Sequence, residues 1–202
     1  MRIGLDFDGT IAIYDRVFHQ CAVEQFGLPS EISPSKSAIR DWFWATPAGK
    51  EEWIELQAQV YGVRIREACI APGLEEFLQL CWQRKIHVAI ISHKTEFPAR
   101  GPRINLREAA HDWLQAQGFY DRMNVAQQDV FFEPTRAEKI RRIISFACSR
   151  FVDDLEEVFL EPAFPMTVEK LLYSATKTRE PREDIRVFPS WDAIRHYFLQ
   201  SE

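Results

Sequence analysis

Residues 86–92 read Ile-His-Val-Ala-Ile-Ile-Ser, an apolar run with a single polar interruption near its start. A short stretch of this kind fits a strand buried on both faces. Such a strand must be covered by helices on each side, and a parallel sheet built from strand–helix units meets that need. The rest of the chain supplies such units. Residues 2–7 (RIGLDF) are short, apolar and β-prone; 129–132 (DVFF) and 150–153 (RFVD) are two further candidates, and 185–188 (IRVF) reads as a late edge strand. Helical patterns at 74–84, 106–117, 135–147 and 190–200 alternate with them, with Gly118 as a stop and Ser190 as an N-cap. The predicted class is therefore α/β: a Rossmann-like parallel sheet flanked by helices.

Residues 12–71 break this rhythm. They carry amphipathic helical segments around 14–26, 37–45 and 49–61 and no strong strand. A plain βα loop spans about 2–6 residues, so this stretch is expected to be a small helical cap inserted above the carboxyl edge of the sheet. The expected division is a core from 1–11 and 72–202 with the cap between. Phe18, Phe26, Trp42, Phe43, Trp44, Trp53 and Tyr61 crowd the insertion. Most are expected to form its core, with Trp42 and Trp44 placed to stack on a substrate ring.

The 202 residues, 46% hydrophobic, suit one domain with such an insertion. The net charge of −5 argues against bulk binding of nucleic acid or anionic membrane. Cys21, Cys69, Cys81 and Cys148 show neither CxxC nor zinc spacing and read as reduced thiols. The first residues lack a signal-peptide pattern, and no window approaches the ~20 apolar residues of a membrane helix. A cytoplasmic protein is the expectation.

In open parallel sheets, ligands bind outside the carboxyl ends of the strands. Strand one ends in Asp6-Phe7-Asp8-Gly9-Thr10, the 86–92 strand in Ser92-His93-Lys94, and the 150–153 strand in Asp153-Asp154. Asp6, Asp8, Asp153 and Asp154 would repel one another at one edge unless a cation compensates. Their hard oxygen donors suit Mg²⁺, and no His or Cys cluster points to zinc. Asp6 and Asp8, two apart, share a side of an extended chain. One carboxylate can then attack phosphorus while the other moves protons. Gly9 permits a tight turn after the pair, and Ser92 and Lys139 offer a hydroxyl and a positive charge to phosphoryl oxygens.

These segments resemble the four motifs of the haloacid dehalogenase-like (HAD) hydrolase superfamily, in order. Asp6-Phe7-Asp8-Gly9-Thr10 resembles the first, Ser92 the second, Lys139 the third and Phe151-Val152-Asp153-Asp154 the fourth. The match spans residues 2 to about 157, and the helical insertion resembles a family cap. The resemblance implies Asp6 as nucleophile and Asp8 as general acid/base. It implies Mg²⁺ held by the Asp6 carboxylate, the Phe7 carbonyl and Asp153, with Asp154 supporting and Asp8 in the same acidic set. Ser92, Lys139, Gly9 and Thr10 are expected around the phosphate; Arg136 and Lys94 are alternatives to Lys139 as the cation. The second aspartate points toward phosphate esters rather than halogenated acids.

The loop 93–105 follows the second motif. His93, Lys94, Arg100 and Arg103 are its candidates for contact with a second anionic group of the substrate. The expected function is hydrolysis of a phosphate monoester of a small phosphorylated metabolite. A phosphomutase or phosphotransferase would use the same residues. A non-catalytic phosphate-binding module is the rival from another class, and neither a Walker A nor a G-x-G-x-x-G sequence is present.

Overall fold

The computed structural model describes residues 1–174 and 183–200. They fall into two compact units: Met1–Ala12 with Ile70–Lys94 and Gln117–Glu202, and Ile13–Cys69 with Thr95–Ala116.

The first unit is an α/β layer structure. Its six-stranded sheet holds β1 (Arg2–Leu5), β4 (His87–His93), β5 (Val130–Glu133), β6 (Arg150–Asp153), β7 (Glu169–Tyr173) and β8 (Ile185–Phe188). Their spatial order is β5-β4-β1-β6-β7-β8, and every pairing is parallel. The short strands β2 (Ala12–Ile13) and β3 (Cys69–Ile70) stand outside this sheet. Because the six strands run one way, the carboxyl ends of β1, β4, β5 and β6 share one edge. The apolar run at 86–92 forms β4, next to the edge strand β5, and is buried from Val88 to Ser92.

Helices cover the sheet as that strand requires. Ile140 and Ile143 of α6 (Arg136–Ser145) and Val158 and Phe159 of α7 (Glu156–Phe159) close over Ala89, Ile91, Phe151 and Leu172. Elsewhere α4 (Leu74–Gln83) packs with α8 (Trp191–Gln200), where Phe77 meets Trp191 and Phe198 with ring centroids 5.0 and 5.1 Å apart. Side-chain oxygens cap two of this unit's helix starts, Thr135 at α6 and Ser190 at α8. At the head of α6 the Thr135 hydroxyl accepts the Glu138 N–H and donates to the Glu138 carboxylate. Within the six-stranded sheet, the strand that the sequence pattern does not indicate is β7. Its sequence, Glu-Lys-Leu-Leu-Tyr, has a polar start and no clean alternation, and it is a strand because β6 and β8 flank it.

The second unit is helical: α1 (Asp15–Phe26), α2 (Lys36–Trp44), α3 (Gly49–Ala58), a π-turn at Gln59–Val63 and α5 (Leu106–Ala116). Its aromatics pack together as expected. Phe18 stacks on Trp53 at 5.4 Å, and Phe43 lies against Phe26 and Trp53. The predicted boundary needs correction, because Thr95–Ala116 belongs to this unit and not to the sheet unit. The physical reason is the apolar stripe of α5. Trp113, fully buried, donates its indole N–H to the Ala68 carbonyl at 3.3 Å. Ile104 and Leu106 close on Gly62, where a Cβ would come within 2.3 Å of the Ile104 side chain.

Candidate active site

The candidate site lies wholly in the first unit, at the carboxyl edge of its sheet. β1 ends at Leu5, and Asp6 still donates its N–H to the Val152 carbonyl of β6 at 2.9 Å. The first motif then folds into a tight turn. The Phe7 carbonyl accepts the N–H groups of Ile11 and Ala12, both at 2.9 Å, and Gly9 donates to Ala12. Gly9 has φ +86°, which favours glycine, and a Cβ there would come within 2.4 Å of Asp154 Oδ2. The position therefore excludes a side chain on two grounds. Thr10 is fully buried, donates weakly to Asp154 Oδ1 at 3.4 Å, and gives its carbonyl to the Trp191 indole at 3.0 Å.

Lys139 projects from α6 into this edge and is 2% exposed. Its ammonium donates to Asp6 Oδ1 at 2.5 Å and to Asp153 Oδ2 at 2.6 Å. Burial alone would favour the neutral amine, but Asp153 and Asp6 outweigh it and hold Lys139 above the ordinary lysine range. Asp153 is fully buried. Desolvation pushes its carboxyl upward against the pull of Lys139, and the Asp6 charge adds to that rise. Asp153 Oδ1 accepts the Leu155 N–H at 2.9 Å, which fixes its orientation. Of the three cations open at the third motif, Lys139 sits between the acids. Arg136 instead pairs with Glu161 at 2.8 Å.

One carboxylate oxygen from each of Asp6, Asp153 and Asp154 can be chosen so that all lie within 4.8 Å of one another. Three hard oxygen donors converging at that spacing fit a small divalent cation such as Mg²⁺ and offer nothing to a soft metal. The Phe7 carbonyl, expected among the ligands, accepts the Ile11 and Ala12 N–H groups, and the turn sets its orientation. The Asp8 carboxylate is paired with Lys94, Nζ to Oδ2 2.8 Å.

Ser92 is buried at the end of β4, opposite Phe132 of β5. His93 donates from Nε2 to the Pro134 carbonyl at 3.1 Å, and desolvation lowers its imidazole value. Lys94 is buried, its backbone N–H bonded to the Glu133 carbonyl at 2.8 Å. Arg100 and Arg103 belong to the second unit. There Arg100 pairs with Glu51 at 2.5 Å, and Arg103 lies over the Phe97 ring at 4.7 Å. Of the two tryptophans, Trp42 packs edge-on against Phe43, whereas Trp44 is exposed beneath Arg40. Two contacts escaped the sequence reading. Trp191 supports the first-motif turn from α8, and Lys94 faces Asp8. A buried lysine just past an apolar strand was the available signal, but its partner lies 86 residues earlier in the chain (94 − 8).

No family model matches the sequence, and no curated protein matches it. Solved structures do. A haloacid dehalogenase-like family hydrolase from Streptococcus pneumoniae superposes with a TM-score of 0.64 at 15% identity, over 98% of this chain and 97% of that one. A HAD-hydrolase from Bacillus subtilis bound to magnesium gives 0.59 at 12% identity, over 97% of both chains. A phosphoserine phosphohydrolase-like protein from Francisella tularensis gives 0.56 at 11% identity, over 97% and 98%. The chain has the fold of the HAD-like hydrolases. No helix among the described residues is long and apolar enough to cross a membrane.

Proposed function

We propose that this protein is a Mg²⁺-dependent phosphohydrolase that cleaves a phosphate monoester of a small metabolite through an aspartyl-phosphate on Asp6. The observation that carries this reading is the convergence of Asp6, Asp153 and Asp154 with the buried Lys139 wedged between two of them. Four charges drawn from three chain segments to one sheet edge are costly to assemble. They make chemical sense where a cation and an anionic substrate complete the balance. Asp6, Asp153 and Asp154 would hold the ion, which supplies charge neutralisation for the incoming phosphoryl group. The magnesium bound by the Bacillus structure and the name of the Francisella protein are in keeping with this reading.

The chain's own residues divide the work as follows. An Asp6 carboxylate oxygen attacks phosphorus, and the bond from phosphorus to the ester oxygen breaks with its electrons on that oxygen. The Asp8 carboxyl gives its proton to the leaving oxygen, and the alcohol departs. Asp8, now a carboxylate, takes a proton from a water molecule as that water attacks phosphorus. The bond to Asp6 breaks, phosphate leaves and both side chains are restored. Lys139 fixes Asp6 through Oδ1 and balances its charge.

The test is phosphate release from p-nitrophenyl phosphate and from a panel of phosphorylated metabolites, with Mg²⁺ and with EDTA. Metal-dependent turnover that Asp6→Asn abolishes is the expected result. Turnover that survives Asp6→Asn, or none with any substrate, overturns the proposal.

A further inference from the structure

Lys94 is only 4% exposed and lies at the catalytic edge. Lysine is almost never this buried unless paired. Several contacts hold it. Its backbone N–H is fixed to Glu133 at the end of β5, its ammonium lies over the Phe7 ring at 5.4 Å, and its Nζ meets Asp8 Oδ2 at 2.8 Å. Phe7 is itself braced edge-on by Phe132, at 5.5 Å. The ammonium thus sits where the ends of β1, β4 and β5 meet. Asp8, by contrast, lies beyond the end of β1 in the turn, and its side chain is more open, at 19% exposure. In this pair the lysine is the more buried partner and the carboxylate the more open one.

We infer that Lys94 is a positioning residue for Asp8: it holds that carboxylate in the rotamer that reaches the ester oxygen, and so acts on proton transfer and not on phosphate binding. The inference rests on the reading of the site as a phosphohydrolase. It assigns the site's two buried lysines to different aspartates, Lys139 to the nucleophile and the metal-facing Asp153, and Lys94 to the proton carrier. A misdirected Asp8 hurts most where the leaving group most needs a proton. An alkoxide needs it; p-nitrophenolate hardly does.

The experiment is a double-mutant cycle of Lys94→Met and Asp8→Asn, measured on p-nitrophenyl phosphate and on glycerol phosphate, with inhibition by inorganic phosphate as a second readout. Lys94→Met alone is expected to lower kcat for the alkyl ester about 10- to 100-fold, within the range that general acid–base catalysis supplies. The aryl ester is expected to lose several-fold less, and phosphate inhibition is expected to stay within about threefold of the parent, because the phosphate contacts remain. In the Asp8→Asn background, Lys94→Met is expected to add almost nothing, as residues acting through one another are non-additive. Lys94→Arg keeps the charge and is expected to recover part of the alkyl-ester rate; if Lys94→Met does not fold, Lys94→Gln takes its place in the cycle. Equal losses on both esters with weakened phosphate inhibition, or full additivity with Asp8→Asn, overturn the inference while leaving the phosphohydrolase standing. A parent protein without turnover removes both.

Discussion

Replacing Lys139 with methionine keeps most of the side chain's volume and removes its charge from between two carboxylates. The ammonium is within 2.6 Å of both Asp6 and Asp153, and all three groups are nearly or fully buried. At an effective dielectric of ~20, each such contact contributes roughly 6 kcal/mol of Coulomb energy before desolvation. Burial of the charges takes back much of that. What the substitution leaves is a pair of unneutralised carboxylates, and breaking a buried pair in this way costs about 3–5 kcal/mol. For a chain of this length, each kcal/mol corresponds to about 2–4 °C, so Tm should fall by roughly 6–20 °C in EDTA. Two further signs follow from the same electrostatics. Mg²⁺ should restore part of the loss, because a cation among Asp6, Asp153 and Asp154 supplies the missing charge. Without the lysine, Asp153, whose carboxyl burial already raises, should bind a proton more readily in the folded state than in the unfolded chain. The deficit should therefore grow as pH rises from mildly acidic to neutral and shrink as pH falls. Scanning calorimetry with and without Mg²⁺ at two pH values reads all three. A Tm change under about 3 °C in EDTA, or a deficit that Mg²⁺ leaves untouched, would refute the account of Lys139 as the clamp of this acidic edge.

Gly9→Ala should reduce activity and destabilise by about 1–3 kcal/mol, since it forces a side chain into the left-handed region and against Asp154; urea unfolding and p-nitrophenyl phosphate turnover check both. Mg²⁺ should raise the Tm of the parent protein, by about 2.7 kcal/mol of stabilisation at a hundredfold excess over Kd, and Asp153→Asn should abolish that increment. Trp191→Phe leaves the buried Thr10 carbonyl without its indole donor and should cost about 1–3 kcal/mol by urea unfolding.

Much of the architecture was legible in one sequence. The apolar run at 86–92 demanded two covered faces and is now β4, buried from Val88 to Ser92. The helical periodicities at 74–84, 106–117, 135–147 and 190–200 became α4, α5, α6 and α8 within two residues at either end. These features are local: a strand's burial and a helix's stripe are written into consecutive residues. The candidate nucleophile was legible for the same reason, because Asp6, Asp8 and Gly9 lie within four positions.

Tertiary structure decided the rest. β7 has no strong pattern of its own and exists by pairing with β6 and β8. The 95–116 segment follows a sheet strand in the chain yet packs with the helical unit, through Trp113 on Ala68. The assignment of cations to acids was the hardest to foresee. Lys139, Arg136 and Lys94 are equivalent as sequence, but in space they meet Asp6 with Asp153, Glu161 and Asp8. Periodicity reports which face of an element is apolar. Which charge meets which depends on strand order and on where each strand ends, and the packing of the whole sheet sets both.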